Sequence, residues 1–145
     1  MLTVVLDSSV YVSALLVTNG VPARIYRAWR DRRFLVATSI EQLEEVAHTL
    51  SYPRIRRRYP ITDKVVDELL AVLRSDALIV PGVRVIEERL RDPNDAFLLA
   101  ISAEANAEIL VSSDGDLLVL ERFGATRIMT PRSFLDLIDL PLAEK

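Results

Sequence analysis

Four aspartates stand where apolar segments of the chain begin or end. Asp7 directly follows the first apolar run, Asp114 and Asp116 follow a later one, and Asp95 opens a strongly apolar segment. Carboxylates gathered without neighbouring cations repel one another unless a cation sits among them. Hard Mg²⁺ or Mn²⁺ prefers such oxygen ligands. Because ions held in this way activate water and stabilise charge on a leaving oxygen, the pattern indicates metal-assisted hydrolysis of phosphodiesters.

Short apolar runs alternate with longer segments of helical periodicity along the chain. The predicted strands are Leu2–Leu6, Phe34–Ala37, one or two within Leu78–Ile86 broken at Pro81-Gly82, Ile109–Ser112 and Thr126–Met129. The predicted helices are Val10–Leu16, Pro22–Arg33, a helix from the N-cap Ser39 through Leu50, a short basic helix or turn at Arg54–Tyr59, Asp63–Ser75, a helix from Asp92-Pro93 through Ala105, and a last helix from Pro131. This alternation predicts the α/β class, with a mainly parallel sheet of about five strands covered by helices on both faces.

The carboxyl edge of that sheet is the expected place for a site. In open α/β sheets, ligands lie beyond the carboxyl ends of the strands, where the three aspartates that follow strands must gather. Right-handed connections would bring Asp95 to the same edge at the start of its helix. Glu44 and Glu45 lie on the helix after the second strand, and either one could reach this edge.

Most of these acids also have a purely structural interpretation. Asp92 precedes Pro93 and has the position of an N-cap, and Asp95 would favour the same helix start through its charge. Asp114 or Asp116 could cap a short helix over Leu117–Glu121. Asp7 is harder to explain in this way, because a charge directly after a buried strand is costly unless it is paired or bound to a metal.

Composition excludes several classes of site. The 145 residues contain no cysteine and a single histidine, His48, so thiol nucleophiles, cysteine zinc sites and two-histidine zinc sites are impossible. The length and the 50% apolar content predict one globular domain over residues 1–145. No apolar run approaches the length of a membrane span, and we expect a cytoplasmic protein without membrane contact.

Charge is distributed unevenly, although the net charge is only −3. Nine arginines accompany four acidic residues between Arg24 and Arg58, whereas ten acidic residues accompany three arginines between Asp92 and Glu144. Arginines can hold phosphates and so position a nucleic acid without reading its sequence. The residues predicted to do so are Arg24, Arg27, Arg54, Arg56 and Arg57.

Four segments together resemble the PIN-domain family, and in particular a branch that contains toxin components of toxin-antitoxin systems. They are VVLDSSVYVSAL, SIEQLEEVAHTLSYPRI, RDPNDAFLLAISAEANAEILVSSDGDLL and RIMTPRSFLDLI. The resemblance covers about residues 2 to 138 in the family's order and spacing. It implies a three-layer α/β/α sandwich and an Mg²⁺- or Mn²⁺-dependent endoribonuclease that acts on RNA. It further implies an antitoxin protein as partner and a homodimer.

The resemblance also implies roles for individual residues. The acidic catalytic positions fall on Asp7, Glu45, Asp95, Asp114 and Asp116, of which the four aspartates would bind the metal. Residues that would orient these ligands are Ser8, Ser112 and Asp92.

This chain departs from the family's pattern at two places. The family usually carries Thr-Asn after the first aspartate, where this chain has Ser8-Ser9, and a Thr before the late aspartate pair, where it has Ser112. The neighbours of Glu45 match the family's pattern, and Glu44, about 100° away around the helix, is the alternative glutamate. The alternative function is a catalytically silent PIN fold that binds RNA or a protein.

Overall fold

The computed structural model describes residues 1–81 and 93–139, without the side chain of Asn94. Within these residues strands and helices alternate along the chain. In chain order they are β1 (Thr3–Leu6), α1 (Ser8–Leu16), α2 (Val21–Arg30), β2 (Leu35–Ser39), α3 (Ile40–Leu50), α4 (Pro53–Arg58), α5 (Asp63–Asp76), β3 (Leu78–Val80), α6 (Pro93–Glu104), β4 (Ile109–Val111), α7 (Gly115–Leu118), β5 (Arg122–Phe123), β6 (Thr126–Met129) and α8 (Pro131–Ile138).

The strands form one sheet in the order β3-β2-β1-β4-β6-β5. Every neighbouring pair is parallel except β5 with β6, which is antiparallel. The chain builds outward from β1 through β2 to β3 and then returns to place β4 on the other side of β1. This reversal between β1 and β4 is the switch point at which open α/β sheets bind their ligands.

Side chains of β1 contribute to both faces of the sheet. Val4 and Leu6 belong to an apolar core that α1, α2, α3, α5 and α8 cover, whereas Val5 belongs to a second core that α6 and α7 cover. Successive side chains of a strand point to opposite faces, so a continuous apolar strand needs helices on both. The predicted three-layer α/β/α sandwich with a mainly parallel sheet is therefore confirmed.

The helix ends differ from the predicted ones where capping decides them. Helix α1 begins at Ser8 rather than Val10, because the Asp7 side chain accepts a hydrogen bond from the backbone N–H of Ser9. Helix α7 is Gly115–Leu118 rather than Leu117–Glu121, because Asp114 is its N-cap.

The edge strand β5 is absent from the predicted set. It has two residues and pairs only with β6, so it carries too little periodicity to be found in the sequence. The prediction for Leu78–Ile86 is tested only at its start, where β3 lies; its remainder and Asp92 lie outside the described residues. In the described ranges, no helix is long and apolar enough to cross a membrane.

Candidate active site

The carboxyl ends of β1 and β4 are aligned and carry the first acidic residues of the site. Leu6 is paired with Val111, and the backbone N–H of Asp7 donates to the carbonyl of Val111 at 2.9 Å. Asp7 is the N-cap of α1, and one of its carboxylate oxygens accepts from the N–H of Ser9 at 3.2 Å. The positive end of a helix stabilises an anion there. The sheet and the helix therefore hold Asp7 at a defined position.

Ser112 connects Asp7 to the acids that follow β4. Its buried hydroxyl donates to Oδ2 of Asp7 at 2.7 Å and accepts from the backbone N–H of Asp114 at 3.0 Å. The Asp114 carboxylate in turn accepts from the N–H of Asp116 at 2.8 Å as the cap of α7. One serine hydroxyl thus fixes the two strand ends relative to each other.

Asp95 reaches the same place from the first turn of α6. Its side chain is only 3% exposed. Carboxylate oxygens of Asp95, Asp114 and Asp116 all lie within 4.8 Å of one another. Three carboxylates at this separation are the donor set that a hard divalent cation takes. The residues present therefore fit an Mg²⁺ or Mn²⁺ ion.

Helix α3 presents Glu45 to the site through a chain of hydrogen bonds. The hydroxyl of Ser8 donates to Oε1 of Glu45 at 2.5 Å. The amide of Gln42 donates to the carbonyl of Leu6 at 2.7 Å and lies 3.4 Å from the Ser8 hydroxyl, while its oxygen accepts from Thr38 at 2.5 Å. Gln42 is 4% exposed and did not figure among the predicted site residues.

These residues surround one cleft of about 410 Å³. Its lining consists of Asp7, Ser8, Ser9, Val12, Ser13, Glu45, Thr49, Asp95, Leu98 and Asp114. Glu44, the alternative glutamate, is exposed and is not part of this lining. The structure therefore brings the five predicted acids to one edge of the sheet, four of them in the cleft wall and Asp116 beside two of those.

Comparison with known proteins agrees with this arrangement. A family model described as "PIN domain" matches residues 3–116. The chain belongs to the PIN-domain family. The matched span includes β1, α3, α6 and the segment after β4, which are the elements that carry the acidic cleft.

Two known proteins resemble this PIN domain over most of its length. MJ1680, an uncharacterized protein of Methanocaldococcus jannaschii, is 24% identical over an alignment of 141 residues, and the match covers 92% of this chain and 89% of the relative. The crystal structure of Mycobacterium tuberculosis VapC20, a sarcin-ricin loop cleaving toxin, matches with a TM-score of 0.55 and 19% identity. That match covers 86% of this chain and 98% of VapC20. At this identity the likeness shows a shared fold.

The arginines predicted to bind nucleic acid lie in two different places on this PIN domain. Arg24 and Arg27 lie on α2, where Arg24 pairs with Asp139 at 3.5 Å and Arg27 donates to the carbonyl of Thr18 at 3.0 Å. Neither contributes to the lining of the acidic cleft. Arg54, Arg56 and Arg57 lie on α4, which follows the cleft-lining helix α3.

Proposed function

We propose that this PIN domain is an Mg²⁺- or Mn²⁺-dependent endoribonuclease. One observation carries the proposal: carboxylate oxygens of Asp95, Asp114 and Asp116 lie within 4.8 Å of one another, beside a cleft that Asp7 and Glu45 also line. A cluster of this kind is costly without a cation, and with one it suits the cleavage of a polyanion.

The aspartates of the cleft and Ser112 have different roles in the proposed reaction. Asp7, Asp95, Asp114 and Asp116 would hold a divalent cation, which when bound supplies a more acidic water and neutralises charge on the leaving oxygen. Ser112 keeps Asp7 and the Asp114 backbone in register for this task. These positions lie on a strand end and on helix starts, so the ligands are oriented before the substrate arrives.

Glu45 has a separate role in this proposal. Its Oε1 accepts the Ser8 hydroxyl, and Glu45 lines the same cleft as Asp7, Asp95 and Asp114. An ionised carboxylate within hydrogen-bond reach of a water can accept its proton. Glu45 therefore serves as the general base, and Glu44, which is exposed, does not.

The deciding experiment measures cleavage of a labelled, mostly single-stranded RNA pool with Mg²⁺, with Mn²⁺ or with EDTA. Asp95→Asn and Asp7→Asn remove one carboxylate each while keeping the shape of the side chain. Asp67→Asn on α5 is the matched control, because Asp67 is exposed and does not line the cleft. We expect metal-dependent cleavage by the parent and by the control, and none by the two site variants.

The alternative outcome is equally defined. If neither ion gives cleavage while the protein still binds RNA, the silent binding module replaces the nuclease. Calorimetric titration of the parent and of Asp95→Asn with Mn²⁺ then shows whether cleavage fails because the metal site is missing. A binding module without a metal site gives the same heat of titration in both proteins.

We further propose that a protein partner restrains this activity in the cell. The acidic cleft is complementary to an arginine or lysine side chain of an inserted peptide, which would occupy the position of the cation. Such a partner is the antitoxin that a toxin of the VapC20 type would require. Expression of the chain alone should arrest growth, coexpression with a neighbouring small gene should relieve the arrest, and a chain without effect on growth would contradict the toxin role.

A further inference from the structure

We propose that a surface depression at α4 binds the RNA strand beside the cleavage site, with a base on Tyr52 and phosphates on Arg54 and Arg57. This inference rests on the proposed ribonuclease function. The depression has a volume of about 630 Å³ and is lined by Tyr52, Pro53, Arg54, Ile55 and Arg57, and we call it the α4 platform.

The α4 platform adjoins the acidic cleft along α3. Glu45 and Thr49 line the cleft, and His48 lies one helical turn after Glu45, about 5 Å further along the axis. The His48 ring meets the Tyr52 ring edge-on, with centroids 4.9 Å apart. A strand that leaves the cleft along this helix therefore meets Tyr52 next.

Tyr52 has the exposure and setting of a stacking residue. It is 47% exposed although it is a large aromatic side chain, and it immediately precedes Pro53 at the start of α4. Its contact with His48 limits the ring's freedom to turn. A pre-positioned, half-exposed ring loses little entropy when a base stacks on it.

Two arginines of the platform remain available for an external anion. Arg56 is held within the protein, by the carbonyl of Leu50 at 2.7 Å and by Asp63 at 2.9 Å. Arg54 and Arg57 are exposed, lie three residues apart on α4 and therefore share a face. Across residues 1–81 and 93–139, neither makes an ion pair.

An exposed aromatic ring in the same depression as two arginines suits single-stranded nucleic acid better than a protein. Arginine holds phosphate, while an exposed aromatic ring accepts an unstacked base of any identity. RNA is recognised chiefly through such splayed single-stranded segments. A protein interface would need a larger apolar centre than Pro53 and Ile55 provide, and Ile55 is itself half-buried.

The test measures equilibrium binding of a labelled single-stranded RNA in EDTA, where no metal-dependent cleavage occurs. Tyr52→Ala should weaken binding by about 5- to 150-fold. Arg54→Gln with Arg57→Gln should weaken binding about 25-fold at 0.1 M salt and lower the slope of log K against log salt by about 1.4, since two phosphate contacts are lost. Arg74→Gln with Arg122→Gln is the matched control, because both residues are exposed and lie on α5 and β5.

Several results would overturn the proposal. If the platform variants bind RNA as tightly as the parent, α4 is not part of the RNA-binding surface. The same conclusion follows if the control pair loses as much RNA affinity as the platform variants. A parent that binds no RNA would do the same. If light scattering shows that the platform variants have a different oligomeric state while their RNA binding is intact, the platform binds a second copy of the chain.

The same variants separate this proposal from the nuclease itself. Platform variants should cleave RNA with a raised KM, whereas Asp95→Asn should bind RNA and fail to cleave it. Metal-dependent cleavage with unchanged binding by the platform variants would refute the α4 assignment and leave the proposed function intact. RNA that carries 4-thiouridine should cross-link to Tyr52 in the parent.

Discussion

Gln42 is the residue through which the sheet fixes Glu45. Its amide bridges the carbonyl at the end of β1 and the Ser8 hydroxyl that contacts Glu45. Gln42→Leu keeps the volume but removes the bridge, so we expect kcat to fall about 10- to 100-fold with little change in KM. We also expect the free energy of unfolding to fall by about 1–3 kcal/mol, because buried polar partners lose their hydrogen bonds.

Steady-state cleavage and urea unfolding of the same preparation test this role. Thr38→Val is the companion variant, because it removes the hydroxyl that donates to Gln42 and leaves the amide in place. We expect Thr38→Val to lower kcat and the free energy of unfolding as well, but by less than Gln42→Leu does. A Gln42→Leu enzyme with the parent's kcat would mean that Gln42 only stabilises the fold.

The aspartates could be predicted at the residue scale, whereas Gln42 could not. An acid directly after an apolar strand is conspicuous in a sequence, because burial of a charge needs a reason. Gln42 follows Ser39 at the spacing of a helix capping box, so its ordinary interpretation is local. Its amide instead contacts β1, a partner 36 residues away, and only packing of α3 against the sheet reveals that.

Tyr11 is a second buried polar group, and it gives a prediction about pH. Its hydroxyl has no hydrogen-bond partner among the described residues, and burial raises the pKa of Tyr11 above its ordinary value. The Tyr11 hydroxyl ionises near pH 10 in the unfolded chain but not in the folded one. Its contribution to the free energy of unfolding is therefore fully present below that pH and falls as the pH rises above it. Tyr11→Phe should be neutral or stabilising by about 1 kcal/mol at pH 7.

Urea unfolding at pH 7 and at pH 11 tests the Tyr11 prediction. The parent should lose stability between the two values, and Tyr11→Phe should lose less. Burial also raises the pKa of Tyr26, so part of the loss should remain in the variant. An equal loss in parent and variant would show that other groups cause it.

At the scale of elements, Asp7 combines two functions that substitution can separate. It caps α1 and also lines the cleft. Asparagine caps a helix as well as aspartate does, whereas alanine does not. We therefore expect Asp7→Asn to unfold like the parent and Asp7→Ala to lose about 1 kcal/mol, while both fail to cleave RNA. Denaturation midpoints together with the cleavage assay would settle this, and a stable, active Asp7→Ala would refute both functions.

Long periodic elements were predictable, and short or locally capped ones were not. The helices α3, α5 and α6 and the strands β1, β4 and β6 follow apolar periodicity that a single sequence displays. The strand β5 has two residues and depends on a partner that tertiary structure provides. The start of α1 and the whole of α7 depend on a single capping side chain, which shifts an end by two residues without altering the apolar pattern.

At the scale of the whole molecule, the proposed metal site should couple ion binding to stability. An ion that binds only the folded state stabilises it by about 2.7 kcal/mol at one hundred times its dissociation constant. Mg²⁺ or Mn²⁺ should therefore raise the melting temperature of the parent and of Asp67→Asn, and should leave that of Asp95→Asn unchanged. Scanning calorimetry with and without EDTA measures this, and an equal rise in all three proteins would indicate non-specific ion binding.

The two apolar cores share the central strands, which predicts one cooperative unit. Val4 and Val5, neighbours on β1, belong to different cores. Neither core can unfold without exposing a strand of the other, so we expect a single thermal transition with equal calorimetric and van't Hoff enthalpies. Two resolved transitions would contradict a single domain.

Sequence alone could not show which arginines are available to bind RNA, because that depends on where their helices lie in the molecule. Nine of them are clustered between Arg24 and Arg58, and five of the nine were predicted together to hold phosphates. In the fold, the predicted arginines lie on two different helices, α2 and α4. Two of them form ion pairs within the protein, Arg24 with Asp139 and Arg56 with Asp63. Of the α4 arginines, Arg54 and Arg57 are the exposed ones that line the α4 platform, and they are the candidates for RNA.

The sheet order also sets when the site exists during synthesis. Asp7 is made well before β4, yet β4 must insert beside β1 before Asp114 and Asp116 can join it. A nascent chain that ends before these residues has no assembled acid cluster. If the proposed function is right, a nascent chain that ends before Asp114 cannot hold the cation and should not cleave RNA, so a restraining partner is needed only after Asp116 has been made.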